Sequence, residues 1–208
     1  MMTGAGATPM LAACRALAKA AAAAFGTVLL AGCISFGADP PDRLLTLTPA
    51  VSAPAGSATD GDVSTALAVL EPTAAQRLTV TRVPVTVDDS SLAYLQDAFW
   101  VERPARLFQR LLAETIRAGG NRLVLADDDL QYSAPTKLSG QLVELGYDAT
   151  RSSVIARYDA LLQLPDGRVL TRRFESTVPG IAPEAAAVGP ALNQAANEVA
   201  AQVAEWVG

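Results

Sequence analysis

The sequence predicts an α/β domain, a mixed β-sheet with two amphipathic helices packed on one of its faces. Three observations carry this reading. Apolar residues recur at helical spacing in a stretch opened by Pro104, and again near the C-terminus. Short apolar runs and period-two alternation mark strands before and between these stretches. Turn residues separate the segments in the order strands, helix, strands, helix, which suits helices laid over one sheet.

The first segment is an export signal. Arg15 and Lys19 precede the uncharged apolar run Ala20 to Leu30. That run has the length of a signal-peptide core and is short for a membrane-spanning helix. Leu30-Ala31-Gly32-Cys33 then reads as a lipobox, with small residues at the two positions before a cysteine and an aliphatic one at the third. Small side chains there let a signal peptidase bring its catalytic groups to the backbone. Cys33 is alkylated by a diacylglyceryl group and becomes the new N-terminus. A buried helix with a chance cysteine is the competing reading, and the coincidence of charged flank, apolar run and lipobox outweighs it. Residues 1–32 are therefore a lipoprotein signal peptide, 33–43 a lipidated N-terminus and tether, and 44–208 a single domain.

Removal of residues 1–32 takes Arg15 and Lys19 with it, so 14 of the 16 basic side chains and all 21 acidic ones remain, a balance of −7. Such a chain has no electrostatic pull toward nucleic acid or an anionic bilayer. Membrane attachment must come from the acyl chains, and two or more hold a protein stably. Ile34 follows the cysteine. Many Gram-negative bacteria use an aspartate there to retain a lipoprotein at the inner membrane, so outer-membrane residence facing the periplasm is expected. Histidine is absent, which removes the commonest metal ligand and general base. No catalytic set, metal site or cofactor motif is visible, and an enzyme is the least supported class.

Within the domain, Leu44 to Thr48 alternates like a first strand, and 50–64 is a surface loop rich in Ala, Ser, Gly and Asp. Ala66 to Leu70 reads as a buried strand and Leu78 to Arg82 as a half-buried one. Pro84 breaks the next apolar run, so Val85 to Val87 is an edge or a new strand. Leu92 to Leu95 forms another short strand. Pro104 suits the first position of a helix. Its inner face is Leu107, Phe108, Leu111, Leu112, Thr115 and Ile116, and its outer face carries Arg106, Gln109, Arg110, Glu114 and Arg117. Gly119-Gly120 ends it. Leu123 to Leu125 is a short strand, and Leu138 to Tyr147 and Val154 to Leu164 are long ones. Pro165-Asp166-Gly167 turns the chain back into Arg168 to Val178. A last helix buries Val188, Leu192, Ala195, Ala196, Val199, Val203 and Trp206, with Pro190 in its first turn.

Several of these pieces, in order, resemble the ABC-type transport auxiliary lipoproteins. They are the lipobox at Cys33, then Leu44-Leu45-Thr46-Leu47-Thr48-Pro49, then Leu78-Thr79-Val80-Thr81-Arg82, then Phe99-Trp100-Val101-Glu102-Arg103-Pro104, and finally the C-terminal strands and Ala-rich helix. Leu45 stands near the place where the family usually has a tyrosine. The resemblance implies a non-catalytic periplasmic component of a transport system. Its expected partners are a mammalian-cell-entry (MCE) domain protein and the permease and ATPase subunits of an ABC transporter. Such systems move phospholipids or other hydrophobic molecules between the inner and outer membranes. A structural or assembly lipoprotein of the envelope is the alternative.

Candidate contacts are few. Trp100 is either a partner anchor or a core residue under the helix entry, and tryptophan's usual burial favours the core. Arg168, Arg172 and Arg173 form a basic cluster that could meet an acidic partner or a lipid phosphate, against the plainer reading of a charged edge strand. Asp127-Asp128-Asp129 lacks the spacing of a calcium loop and reads as a solvated turn.

Cys33→Ser is expected to abolish lipidation and membrane retention while leaving the domain folded. Metabolic labelling with a palmitate analogue and membrane fractionation check this.

Overall fold

The computed structural model describes residues 43–56, 61–120, 122–126 and 133–208. The signal segment, the lipobox with Cys33, the tether up to residue 42 and Asp127-Asp128-Asp129 lie outside the described residues.

Eight strands form one mixed sheet: β1 (Leu67–Val69), β2 (Thr73–Ala74), β3 (Arg82–Thr86), β4 (Leu92–Phe99), β5 (Val124–Leu125), β6 (Thr136–Asp148), β7 (Ser153–Gln163) and β8 (Val169–Pro179). Two helices, α1 (Pro104–Ala118) and α2 (Ala185–Val207), pack on one face and against each other. The expected α/β architecture is the observed one.

β6 is the axis. One edge takes three short strands in succession, all parallel to it: β1 at Thr136 to Leu138, β2 at Gln141 and Leu142, β3 at Tyr147 and Asp148. The other edge takes β7 antiparallel along its whole length. From there the sheet continues to β8, which among the described residues pairs only with β7. β4 closes the far side on β3, and β5 lies beside β1.

Alternation decides what is buried. Leu138, Leu142, Leu145 and Tyr147 of β6, with Val154, Ala156, Tyr158, Ala160 and Leu162 of β7, turn to the helices. On α1 the expected stripe is inside. Phe108 meets Tyr158 edge-on, with centroids 5.3 Å apart. On α2, Val188, Leu192, Ala195, Ala196, Val199 and Val203 are buried, and Trp206 packs beside Phe174 at 5.5 Å. Ala at four of the buried α2 positions lets the helix lie close to the sheet.

Several sequence expectations need correction. Leu44 to Thr48 is no strand: only Leu45 bridges Trp100. The segment is held instead by α2, with the Thr48 and Ala50 N–H groups donating to Asn193 Oδ1 and Asn197 Oδ1 at 2.7 Å each. Leu78 ends a 3₁₀ turn, Gln76–Leu78, and the Thr79 hydroxyl bonds back to Gln76, so the chain turns locally and the strand begins at Arg82. Pro84 lies inside β3, at a register shift against β4 and before pairing with β6 starts at Val85. Gly146 makes room for it, since a Cβ there would meet Pro84 O at 2.7 Å. β4 runs on to Phe99 and exceeds the expected Leu92 to Leu95. Gln109, expected outside, is buried and donates to Val69 O at 2.9 Å, tying α1 to β1. Pro190 is the sixth residue of α2, beyond its first turn.

Leu192→Ala is expected to cost about 2–5 kcal/mol, because the side chain is fully buried between helix and sheet. Leu170→Ala, on the exposed edge strand, should cost under about 1 kcal/mol. Urea denaturation of both variants measures the contrast.

Candidate functional site

Among the described residues no group of three or more His, Cys, Asp or Glu side chains could hold a metal ion. None of the described helices is long and apolar enough to cross a membrane. Two surface depressions, of about 350 and 610 Å³, are open to solvent. The first lies between Glu71, Leu78 and Arg103, the second over Gln141, Asp159, Thr171 and Arg173. Neither has the enclosed, largely apolar form of a pocket that buries most of a small molecule.

Trp100 follows β4 and is 2% exposed. It sits among the core side chains on the helix side of the sheet, and its Nε1 finds no acceptor among the described residues. It presents nothing to a partner, so of its two sequence readings the core is the one observed. Leu45 is hydrogen-bonded along the same strand end and lies across α2 at Gly189, where a Cβ would come within 2.8 Å of Leu45 Cδ2.

The three arginines do not form one basic patch. Arg168 is in the β7–β8 turn, where its Nε donates to Asp166 at 2.6 Å. That bond holds the Asp166 carboxyl below its usual range. Arg172 points to the helix side of β8 and stacks over Phe174, 5.0 Å from the ring centroid. Arg173 points to the opposite face and makes two bonds to Asp159, 2.6 and 2.7 Å. These bonds lower the Asp159 pKa and raise that of Arg173. Consecutive residues of a strand face opposite sides, so Arg172 and Arg173 cannot share a surface.

The helix-free face of β6, β7 and β8 carries a ladder of opposite charges that the sequence reading missed. Arg157 lies directly across from both Glu144 and Glu175 and bonds each, at 2.7 and 2.5 Å. The bond to Glu175 raises the Arg157 pKa. Asp159 and Arg173 form the next rung. The signal was present as charges at period two, but their pairing depends on a register that only the hairpins fix.

β8 leaves one edge open. Leu164 N–H bonds Arg168 O, so the even-numbered residues of β8 point their backbone groups at β7. Odd-numbered residues point theirs outward, and the Glu175 carbonyl accordingly accepts from Gln202 of α2 at 3.4 Å. Val169 and Leu170 are both exposed at the start of this edge. Ser176, on the inner side, donates to Glu198 of α2 at 2.5 Å and lowers that carboxyl's pKa.

The β6–β7 turn is held by Asp148, which accepts from the Thr150 hydroxyl at 2.6 Å and the Thr150 N–H at 2.9 Å. The hydroxyl bond leads in holding its pKa below the ordinary carboxylate value. A depressed folded pKa gives stability that is complete above the unfolded value, near pH 4, and lost as pH falls through the folded one. Asp148→Asn should therefore flatten the acid limb of a stability-versus-pH curve by about 1 kcal/mol, read from urea midpoints between about pH 7 and pH 2.

A family model described as ABC-type transport auxiliary lipoprotein component matches residues 45–204. No curated protein matches the chain. Among solved structures, a Xanthomonas campestris protein assigned to the family model DUF330 superposes with a TM-score of 0.66. It is 19% identical, and the alignment covers 79% of this chain and 94% of that one. An uncharacterized protein aligns with a TM-score of 0.58 at 13% identity, over 80% of this chain and 100% of its own. At those identities the likeness is one of fold.

Proposed function

The chain belongs to the ABC-type transport auxiliary lipoprotein family, and from that membership we propose that it is the non-catalytic, lipid-anchored accessory subunit of an MCE-type lipid transport system. The observation that carries the proposal is the family match over 45–204, which takes in every strand, α1 and most of α2 but leaves out the signal and lipobox. The lipobox is thus an independent second support. Residues 1–32 are removed, Cys33 carries the acyl chains, and 44–208 is the working domain.

In this reading the domain stands on the periplasmic side of the outer membrane and contacts the MCE-domain protein. The permease and ATPase supply the energy elsewhere in the assembly. Fully extended, the ten residues Ile34 to Arg43 reach roughly 35 Å, so the domain stays near its membrane and the partner bridges the remaining gap. The transported molecule is a phospholipid or another hydrophobic compound. The partner-facing surface is the β8 edge: its outward backbone groups suit strand addition, and Val169, Leu170 and Arg172 lie along it.

Crosslinking in cells followed by pull-down should recover an MCE-domain protein with this chain, and a photo-crosslinker at Thr171 should capture it directly. Arg172→Glu should weaken that capture more than Arg168→Glu, because Arg168 is already occupied by Asp166. Recovery of no MCE or ABC subunit would reject the reading.

A further inference from the structure

We infer that a strip of apolar side chains at the β4 edge, on the helix-free face of the sheet, rests on the phospholipid surface to which the chain is tethered. The inference depends on the anchoring of Cys33 proposed above.

The strip is built by backbone pairing. β3 and β4 place Arg82 opposite Phe99, and Trp100 N–H bonds Thr81 O at 2.8 Å, which holds the segment that leads from Val80 into β3 against this strand end. On the other side Leu45 bridges Trp100 in parallel. Its N–H donates to Phe99 O at 2.7 Å and its carbonyl accepts from Val101 N–H at 2.9 Å. That pairing sets Leu44 beside Phe99 and Thr46 beside Val101. Trp100 and Ala98 turn to the core and Leu45 packs against it, so their chain neighbours Phe99, Val101 and Leu44 turn outward.

The exposures agree: Leu44 51%, Val80 41% and Val101 53%. Among them the Arg82 guanidinium stacks over Tyr94 and Phe99, 5.0 and 5.8 Å from the two ring centroids. Arg43, next to Leu44, is also exposed.

Aliphatic tips, aromatic rings and arginine on one face are the side chains that settle at a membrane interface. The aliphatic groups enter the acyl boundary, the rings sit at headgroup level, and arginine binds phosphate. Chain length chooses the occupant. Leu44 follows Cys33 by eleven residues, a span of about 40 Å at most, and the strip begins at the residue where that span ends. Among the described residues only Arg43 precedes it. β8 lies at the opposite edge of the sheet, which leaves it free for a protein partner while the β4 edge lies on lipid.

The test uses the full-length lipidated protein, reconstituted into phosphatidylethanolamine/phosphatidylglycerol vesicles. Val101→Cys, Leu44→Cys and Thr177→Cys chains are labelled with an environment-sensitive fluorophore, Cys33 being acylated and unreactive. Labels at 101 and 44 should shift to the blue and be quenched by nitroxide-bearing lipid roughly twofold or more beyond the label at 177 on β8, as expected for a shallow interfacial site. In a Leu44→Asp/Val80→Asp background the Val101→Cys label should lose that excess while the protein stays on the vesicles. Equal quenching at 101, 44 and 177 with the protein bound would overturn the inference and leave the anchor intact. Labelling of Cys33 in the unsubstituted chain, or failure to stay on vesicles, would remove the anchor and the inference with it. A photo-crosslinker at Val101 that captures a transport subunit in cells, and no lipid, would assign the strip to protein and also overturn it.

Discussion

The fold depends on the backbone of β6. Every strand except β4, β5 and β8 pairs with it directly, and those three are one strand removed. A two-residue strand such as β2 has no stability of its own. It exists because Gln141 and Leu142 offer it a ready edge. The length of β6 has a cost at its middle, where the register with β7 shifts between Leu142 and Glu144. The Val143 carbonyl at that break is satisfied by the Arg77 guanidinium at 2.9 Å, so a side chain from the 3₁₀ turn repairs the ladder. Gly140, just before, has φ 146° and no space for a Cβ, which would fall 2.1 Å from Asp159 O. Only glycine lets the two long strands stay in contact there.

This dependence explains which elements were legible. α1, β6, β7, β8 and α2 carry their own periodicity, and their identity follows from local pattern. Gln109 shows the limit of that pattern: a polar residue on the outer stripe of α1 is drawn inside by the Val69 carbonyl, a partner forty residues away. The N-terminal half was harder for the same reason. Leu44 to Thr48 alternates like a strand, yet the N–H groups of Thr48 and Ala50 find the Asn193 and Asn197 side chains on α2, nearly 150 residues later in the chain. Leu78 to Arg82 alternates too, but Leu78 closes a 3₁₀ turn and Thr79 bonds back to Gln76, so only the end of the segment, from Arg82, joins the sheet. Alternation states that a segment could be a strand; a free edge decides whether it is one.

The candidate contacts divide along the same line. Residue type suggested a basic cluster at Arg168, Arg172 and Arg173, because three arginines lie within six residues. Side-chain direction breaks it up, and neighbouring carboxylates neutralise two of the three. The ladder around Arg157 is the opposite case. Its members are spread over Glu144, Arg157 and Glu175 and mean nothing in sequence, yet the hairpins bring them into one row. Exposed pairs of this kind add little stability singly. Their effect is to keep the helix-free face of β6 to β8 polar and the long β8 edge from pairing indiscriminately.

That polar ladder gives the apolar strip at the other edge its meaning. A sheet with helices on one side needs only a solvated face on the other, and around Arg157 it has one. At β3 and β4 the same face changes character, to Val80, Val101, Leu44 and an arginine stacked on two rings. Folding does not require this, since the residues that carry the core there, Val83, Leu95, Ala98 and Trp100, all point the other way. Side chains that contribute nothing inside and stay apolar outside mark a surface kept for contact. The Asn193 and Asn197 bonds to residues 48 and 50 fix the following segment firmly along α2. The strand end at Leu45 is fixed just as firmly beside Trp100. The point at which the described chain enters the fold is therefore set by at least five hydrogen bonds, and it is set at the apolar strip. In the proposed reading an anchor at Cys33 joins the domain at its β4 edge, and lipid contact along the strip there would leave the β8 edge, at the far side of the sheet, turned away from the membrane.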